Sequence, residues 1–433
     1  MSSAVSKTTT QPGKGGPYRV MVVDDSAIIR GFLCRYLSED PEIEVVTTAN
    51  NGAVALRQLQ SNDIEVVVLD IEMPEMDGLT ALPRMIEMKP DLQVVMASTL
   101  TRKNAEVSLR ALQMGAVDYV PKPETARSVN ASIDFRRELV DKVKAWASRR
   151  RKKRGEELPQ NASDLGAPGG GGTTAAGLAA RTVSVTRPGA ASTTGGFVTA
   201  RRPAAPVTFT SARASEPAAA PTTSLLSPKT PISLRTGSFR RPKVLAIGSS
   251  TGGPQALMNF FKGFKRAPNV PILITQHMPA TFTAILAEHL GQATGWKTQE
   301  GRDGMVLMPG EVYVAPGGRH MEVAIVDGKA TVRLTDDPPE NFCRPAVDPL
   351  FRSLSAAYGE NVLAVVLTGM GHDGLKGGRE VTRMGGTLLA QDEASSVVWG
   401  MPGAVATAGL CTEVLPIDKL GEATATRLQG GIG

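Results

Sequence analysis

Hydrophobic and polar residues alternate in blocks along the first third of the chain. Short apolar runs typical of buried strands occur at residues 20–23, 45–48, 66–69, 94–97 and 119–120. Amphipathic stretches with helical spacing lie at residues 28–37, 54–59, 79–88, 107–114 and 133–150. Because strands that alternate with helices build parallel sheets, this pattern predicts a doubly wound α/β domain.

The same alternation returns near residue 244. Strands are predicted at residues 244–247, 270–275, 311–315, 321–326, 362–367 and 388–391, and helices at 256–261, 282–290 and 375–384. An antiparallel excursion is expected around residues 321–334. The pattern predicts a second, mostly parallel, doubly wound α/β domain.

Between the two domains the composition changes to Ala, Pro, Gly, Ser and Thr, with little periodicity. Such a segment cannot bury enough apolar surface to offset the entropy of ordering it. We therefore predict four parts, and the length of 433 residues suits two globular domains. They are a flexible tail at 1–17, a first domain at 18–150, a disordered linker at 151–240 and a second domain at 241–433.

Charge and cysteine content narrow the class of protein. The net charge of +6 equals the charge of one basic run at residues 149–154, so the basicity is local, and we interpret the run as a solvated helix end. The three cysteines are far apart, which argues against a disulfide framework or a zinc site. Nowhere do 18 apolar residues run together, and no signal-peptide pattern opens the chain. A cytoplasmic protein is predicted.

Polar groups follow four strands of the first domain. Asp24 and Asp25 follow the first strand, Asp70 the third, Ser98 the fourth and Lys122 the fifth. Ligands of open α/β sheets collect at these carboxyl ends, and three converging carboxylates favour a hard cation such as Mg²⁺. Asp70 would then attack a phosphoryl donor. Taken singly, these residues could instead be helix caps or solvated loop residues.

These residues resemble the receiver domain of two-component response regulators, which has a flavodoxin-like fold. The resemblance is carried by Asp24-Asp25, the stretch Leu69-Asp70-Ile71-Glu72-Met73-Pro74, Ser98 and Lys122-Pro123. It implies that Asp25, Asp70 and the backbone carbonyl of Glu72 bind Mg²⁺. It also makes Tyr119 the switch aromatic, although a buried tyrosine with a satisfied hydroxyl explains that position equally well.

A serine on a sharp turn marks the second domain. Gly248-Ser249-Ser250-Thr251-Gly252 fits G-x-S-x-G between a predicted strand and helix, the setting that exposes a nucleophilic hydroxyl above a sheet. A glycine-rich turn of this kind is at least as often a phosphate cradle.

The positions of the histidines favour a nucleophilic serine over a phosphate cradle. Of the four, His277 directly follows the strand at 270–275, at the sheet edge expected for Ser250. His289 lies within a predicted helix and His320 is ambiguous. Asp373 follows the strand at 362–367, so three strand ends supply Ser, His and Asp. Each of these could singly be a cap or a loop residue.

The order Ser, His, Asp along the chain differs from that of α/β-hydrolases, which disfavours a standard lipase or esterase fold. The combination of motifs instead resembles the chemotaxis protein-glutamate methylesterase (CheB) family. The motifs that carry this resemblance are Gly248-Ser249-Ser250-Thr251-Gly252-Gly253, Thr275-Gln276-His277-Met278-Pro279, Arg344-Pro345-Ala346-Val347-Asp348 and Leu367-Thr368-Gly369-Met370-Gly371-His372-Asp373-Gly374.

The resemblance implies hydrolysis of glutamate γ-methyl esters, and deamidation of glutamines, on the cytoplasmic domains of chemoreceptors. By position, Ser250 is the nucleophile, His277 the base and Asp373 the orienting carboxylate, and backbone N–H groups near Thr251 and Met370 are oxyanion candidates. Ser249 precedes the nucleophile, so two hydroxyls must be separated. The resemblance further implies the histidine kinase CheA as partner, contact with the membrane only through receptors, and no cofactor in the second domain.

Two other classes of function are compatible with parts of the sequence. A DNA-binding regulator is disfavoured because no helix-turn-helix pattern follows the first domain, so no nucleic-acid partner is expected. A catalytically silent scaffold that uses the first domain as a binding switch stays open at this point.

Overall fold

The computed structural model describes residues 15–99, 101–122, 129–159, 232–238 and 240–429. The predicted tail at 1–17 and linker at 151–240 lie mostly outside the described residues. Among the described helices, none is long and apolar enough to span a bilayer.

The first domain is a five-stranded parallel sheet in the order β2-β1-β3-β4-β5. Its strands are β1 (Tyr18–Val23), β2 (Ile43–Ala49), β3 (Val66–Asp70), β4 (Gln93–Ser98) and β5 (Asp118–Pro121). Its helices are α1 (Ala27–Ser38), α2 (Gly52–Ser61), α3 (Gly78–Met88), α4 (Arg102–Gln113) and α5 (Val129–Arg154). The doubly wound sheet predicted from the alternating pattern is confirmed, and its strand order is the flavodoxin-like one that the receiver resemblance implied.

The second domain is a seven-stranded parallel sheet in the order β14-β13-β12-β6-β7-β9-β8. Its strands are β6 (Val244–Ser249), β7 (Ile272–Gln276), β8 (Thr298–Glu300), β9 (Val312–Val314), β12 (Val362–Val366), β13 (Thr387–Gln391) and β14 (Glu413–Leu415). The expected antiparallel excursion is a separate hairpin of β10 (His320–Val326) and β11 (Lys329–Thr335).

Six helices cover the second sheet in the described residues. They are α6 (Gly253–Phe261), α7 (Ala280–Thr294), α8 (Val347–Tyr358), α9 (Leu375–Arg383), α10 (Met401–Thr407) and α11 (Ile417–Leu428). The apolar pattern did not predict α8, α10, α11, β8 or β14. The two strands have only three residues each, too few to show a period.

Both sheets have a topological switch point, where the chain reverses its direction of travel across the sheet. It lies between β1 and β3 in the first sheet and between β12 and β6 in the second. Crevices at the carboxyl ends of strands form at such points, and these are the places where the polar residues following the strands collect.

The two domains pack against each other through aromatic and charged contacts. Tyr119 on β5 stacks on Phe282 of α7, with ring centroids 4.3 Å apart and an interplanar angle of 10°. Arg102 of α4 pairs with Glu288 of α7 at 3.1 Å. Val397, near the end of β13, packs against the hydrophobic cluster that contains Trp146 of α5.

Only part of the basic run at residues 149–154 is the solvated helix end that we expected, namely Lys152, Lys153 and Arg154, which are exposed. Arg150 and Arg151 are 8% and 7% exposed and both pair with buried Glu65, at 3.2 and 2.7 Å. Arg149 donates to the carbonyl oxygen of Ser395. The side of α5 that carries these residues packs against the first domain, because Glu65, just before β3 and between β1 and β4, offers a buried carboxylate. This contact depends on the tertiary structure, so the sequence pattern does not show it.

Candidate functional sites

An acidic cluster lies at the switch point of the first sheet. Carboxylate oxygens of Asp24, Asp25 and Asp70 lie within 4.8 Å of one another. Asp24 and Asp70 are buried, whereas Asp25 is exposed. The Lys122 ammonium lies 2.6 Å from Asp24 and 2.7 Å from Asp70. The structure therefore brings together the carboxylates and the lysine that were predicted from three separate strand ends.

The environment of Asp70 is set by burial and by close backbone approach. Burial raises the pKa of Asp70, Lys122 opposes this and Asp24 adds to it. The Asp70 carboxylate also accepts a hydrogen bond from the N–H of Ile71 at 2.7 Å. A side chain at Gly78 would meet the Asp70 carbonyl oxygen, with Cβ only 2.0 Å away. Glycine at this position thus allows α3 to begin directly behind the acidic cluster.

The remaining predicted residues of the first domain have defined positions. The Ser98 hydroxyl is buried and shares a 2.8 Å hydrogen bond with Ser108. Glu72 is exposed and its carboxylate pairs with Lys103. Tyr119 is 3% exposed and lies between Phe282 and the Lys142 ammonium, which is 4.8 Å from its ring centre.

In the second domain, the two serines of the strand–turn–helix have different environments. The Ser249 hydroxyl is buried and donates to the side-chain oxygen of Gln276 at 2.6 Å. Ser250 is half-buried at the end of β6. Gln276 also donates to the Ser250 carbonyl oxygen at 2.9 Å, which fixes the backbone of the turn. Ser250 therefore presents the accessible hydroxyl.

Two glycines let the backbone pass close to Ser250. A Cβ at Gly369 would lie 2.8 Å from the Ser250 Cβ. Gly252 has a left-handed backbone with φ of 74°, and a Cβ there would lie 2.4 Å from the Val397 side chain. The sharp turn depends on both.

His277 and Asp373 form the central hydrogen bond of this site. Nε2 of His277 lies 2.8 Å from Oδ2 of Asp373, and their side chains are 12% and 2% exposed. The Asp373 carboxylate also accepts N–H bonds from Val347, Asp348 and Gly374, at 2.6, 3.1 and 3.0 Å. It therefore sits at the N-terminus of α8, where the helix dipole and free N–H groups stabilise a negative charge.

Three residues of the site were missed by sequence reasoning. The Asn341 amide bridges Asp373 and Asp348, at 2.8 and 3.0 Å. The Cys343 sulfur lies 3.3 Å from Nδ1 of His277. Asp348 is fully buried and accepts the Gly377 N–H. All three lie between the hairpin and the first turn of α8, where no predicted strand end pointed to them.

Ser250 and His277 are adjacent through the backbone but are not joined through their side chains. The N–H of His277 donates to the Ser249 carbonyl oxygen at 3.1 Å, because β6 and β7 are paired up to Ser249 and Gln276. Both residues belong to the described part of the chain, and no hydrogen bond joins the Ser250 hydroxyl to the His277 imidazole. Nδ1 is instead occupied by Cys343.

Charges in the site shift the pKa values of three groups. Burial lowers the pKa of His277, but Cys343 and Asp373 raise it overall to about 10. Burial acts to raise the pKa of Asp373, yet the hydrogen bond and charge of His277 and the N–H donors leave it lowered. The pKa of Asp348 is raised by burial and by the neighbouring Asp373 charge. Asp373 is thus the carboxylate that stays ionised beside the imidazole.

Backbone donors are available near Ser250. Among the hydrogen bonds of the described residues, neither the N–H of Thr251 nor that of Met370 has an acceptor. Thr251 precedes the N-terminus of α6, and Met370 follows Gly369, which touches Ser250.

The other histidines serve different purposes. His320 is buried, accepts the Ala346 N–H and contacts the Pro338 carbonyl oxygen, each at 3.1 Å. It therefore fastens both sides of the loop that carries Asn341 and Cys343. His289 is half-buried on α7, and His372 is exposed.

Comparison with known proteins identifies the family to which the chain belongs. Family models for the CheB methylesterase and for the response regulator receiver domain match residues 245–424 and 20–134. Protein-glutamate methylesterase/protein-glutamine glutaminase 1 of Rhodospirillum rubrum is 49% identical over 408 residues, covering 94% of each chain. The protein of the same name from Paramagnetospirillum magneticum is 49% identical over 404 residues, covering 93% of this chain and 94% of the relative.

Among solved structures, the Thermotoga maritima CheB methylesterase catalytic domain is 38% identical, with a TM-score of 0.42, and covers 42% of this chain and 97% of that domain. The resemblance derived from the motifs is confirmed by the sequence matches over nearly the whole length. The chain belongs to the CheB family of protein-glutamate methylesterase/protein-glutamine glutaminases.

Proposed function

We propose that this chain is a phosphorylation-regulated hydrolase that removes methyl groups from glutamate γ-methyl esters of chemoreceptors and deamidates receptor glutamines. Relatives that match over almost their full length carry both activities in their names. The observation that carries the proposal is the 2.8 Å bond between His277 and Asp373, beside Ser250 at the switch point of the second sheet.

The reaction is a two-step acyl transfer. Ser250 attacks the ester carbonyl, His277 takes the hydroxyl proton and returns it to the leaving methanol, and water then cleaves the acyl-enzyme. Since Nε2 of His277 faces a carboxylate, that nitrogen carries the ring proton and Nδ1 is the basic nitrogen. Asp373 orients the ring and stabilises the imidazolium that forms.

The oxyanion of the tetrahedral intermediate would be bound by the N–H groups of Thr251 and Met370. Both lie beside Ser250 and both lack an acceptor within the described structure. Donors that are already in place stabilise developing charge without reorganisation, and each contributes about 10²–10³ in kcat.

Asp70 is the proposed phosphoacceptor of the receiver domain. The all-oxygen set of Asp24, Asp25 and Asp70 fits Mg²⁺, with the Glu72 carbonyl as a further ligand by the family resemblance. Bound Mg²⁺ supplies charge neutralisation for phosphoryl transfer. Lys122 would hold the phosphoryl oxygens and Ser98 would respond to them, which makes these two residues, with Tyr119, the proposed switch.

Receiver contacts near Ser250 support the regulatory part. Val397, which packs on the receiver cluster, also abuts Gly252 of the nucleophile turn. Arg137 of α5 lies 5.0 Å from the ring centre of Phe342, next to Cys343. We therefore infer that the unphosphorylated receiver restricts the site, and that phosphorylation, which adds about −1.5 to −2 charge, favours an open state.

The proposed partners follow from the family. They are the cytoplasmic domains of methyl-accepting chemoreceptors and the histidine kinase CheA, so the chain would act in the cytoplasm and reach the membrane only through receptors. No nucleic-acid partner is proposed, and no cofactor is proposed for the second domain.

A methanol-release assay tests this function. Purified chain is incubated with methylated, receptor-containing membranes, with and without a small phosphoryl donor and Mg²⁺. We expect methanol release that the donor increases, and no increase in Asp70→Asn or after removal of Mg²⁺. Absence of methanol under all conditions would overturn the activity, whereas equal rates with and without donor would overturn the regulation alone.

A further inference from the structure

Both ring nitrogens of His277 are occupied in this structure. Nε2 contacts Asp373 at 2.8 Å and Nδ1 contacts the Cys343 sulfur at 3.3 Å. A histidine can take a proton from Ser250 only through a ring nitrogen whose lone pair is free. One of the two contacts must therefore open before the reaction starts.

The contact with Cys343 is the one that can open. The Asp373 side chain is 2% exposed and is held by three backbone N–H groups and the Asn341 amide. Cys343 is partly exposed, and a thiol is a weak hydrogen-bonding group. Breaking the contact between His277 and Asp373 would leave a buried carboxylate without one of its hydrogen-bond donors. This costs far more free energy than losing a contact with a thiol.

The position of the thiol is fixed by its loop. The backbone of Cys343 exchanges two hydrogen bonds with Glu340, at 2.8 and 3.1 Å. Phe342 has a left-handed backbone with φ of 65°, which is costly for an aromatic residue and persists only where the surroundings impose it. Since His320 fastens the loop on both sides, the thiol is held against the imidazole by the structure around it.

We propose that Cys343 is a positioning residue whose thiol occupies Nδ1 of His277 in the resting chain and keeps the base from Ser250 until the thiol is displaced. The inference rests on the roles proposed above for Ser250 and His277. The sulfur and nitrogen share the thiol proton, which returns to sulfur when the contact opens, so that the lone pair of Nδ1 can accept the Ser250 proton. No bond between heavy atoms forms or breaks in this step.

The charges around His277 agree with this role. Cys343 and Asp373 face the imidazole directly, and Asp348 lies behind Asp373, where Asn341 bridges the two carboxylates. His372 is exposed. Removing the Cys343 sulfur therefore removes one of the two groups that raise the pKa of His277.

The test compares full-length Cys343→Ala and Cys343→Ser with the unchanged chain. Cys34→Ala, at the half-buried cysteine of α1, is the matched control. Methanol release with phosphoryl donor is measured against pH, and the imidazole of His277, one of four histidines, is titrated by ¹⁵N NMR. For Cys343→Ala we expect the acid limb of kcat/KM and the NMR titration to move down by about one pH unit or more, and kcat/KM at pH 7 to rise by about tenfold or more.

Cys343→Ser should fall between the two, because its hydroxyl keeps a hydrogen bond to Nδ1, and Cys34→Ala should match the unchanged chain. An unmoved titration in Cys343→Ala, or a loss of activity with an unmoved acid limb, would overturn the proposal. Failure of the proposed function looks different: no variant and no condition would release methanol, while the NMR titration of His277 would still respond to Cys343→Ala.

Discussion

Replacing Asp373 by Asn should abolish catalysis through the tautomer of His277. Oδ1 of Asp373 accepts three N–H bonds, from Asp348, Gly374 and Asn341. In Asp373→Asn, the side-chain oxygen must take the place of Oδ1, because an amino group at that position would face three N–H donors. The amino group then takes the place of Oδ2, opposite Nε2 of His277.

This orientation reverses the ring proton. Nε2 becomes the acceptor, the proton moves to Nδ1, and Nδ1 can no longer take the proton of Ser250. The same exchange in a Ser-His-Asp triad lowers kcat by about 10⁴-fold, equivalent to about 5 kcal/mol of transition-state stabilisation. The N–H of Val347 also loses its acceptor, so the free energy of unfolding should fall by about 1–3 kcal/mol.

The assay is methanol release in the presence of phosphoryl donor, with circular dichroism as a check on folding. Asp348→Asn is the matched control, because Asp348 is equally buried and bonded to the same Asn341 but does not touch His277. Its kcat should stay close to that of the unchanged chain. A folded Asp373→Asn variant with kcat within about tenfold of the unchanged chain would refute the reasoning.

Three further predictions follow from other contacts. Ser249→Ala should keep most activity and lower the free energy of unfolding by about 1 kcal/mol, measured by denaturant titration, because the Ser249 hydroxyl only supports Gln276; loss of methanol release would contradict this. Tyr119→Leu removes the stack on Phe282 and should raise methanol release without donor by about two- to tenfold, since such a pair contributes about 0.5–1.5 kcal/mol; unchanged basal activity would argue against restriction by the receiver. The pKa of His277 is raised from 6.5 to about 10, so the protonated imidazole stabilises the folded state. This contribution is complete below about pH 6.5 and decreases as the pH rises towards about 10. The difference in unfolding free energy between the unchanged chain and His277→Gln should therefore shrink over that range, and a difference that grows would contradict the assigned charges.

The sequence was sufficient to predict both sheets, apart from the short edge strands β8 and β14, and which polar residues follow their strands. Asp24, Asp70, Ser250 and His277 each follow a clear apolar run, and parallel strands bring their carboxyl ends to one edge. Asp373 was identifiable for the same reason, although it lies several residues beyond β12.

The environment of His277 could not be predicted in this way. Asn341, Cys343 and Asp348 reach the site from a loop and a helix whose positions depend on the hairpin and on His320. No local period marks such contacts. Burial of Arg150 and Arg151 was missed for a similar reason, since their partner Glu65 is 85 and 86 residues away along the chain.

The proposed function depends most on the hydroxyl of Ser250, the proposed nucleophile. The most direct measurement is methanol release from methylated receptor membranes by purified Ser250→Ala, with phosphoryl donor present and Ser249→Ala measured alongside. We expect Ser250→Ala to lose at least about 10⁴-fold in kcat while remaining folded, and Ser249→Ala to stay active. Methanol release by Ser250→Ala at the rate of the unchanged chain would contradict it.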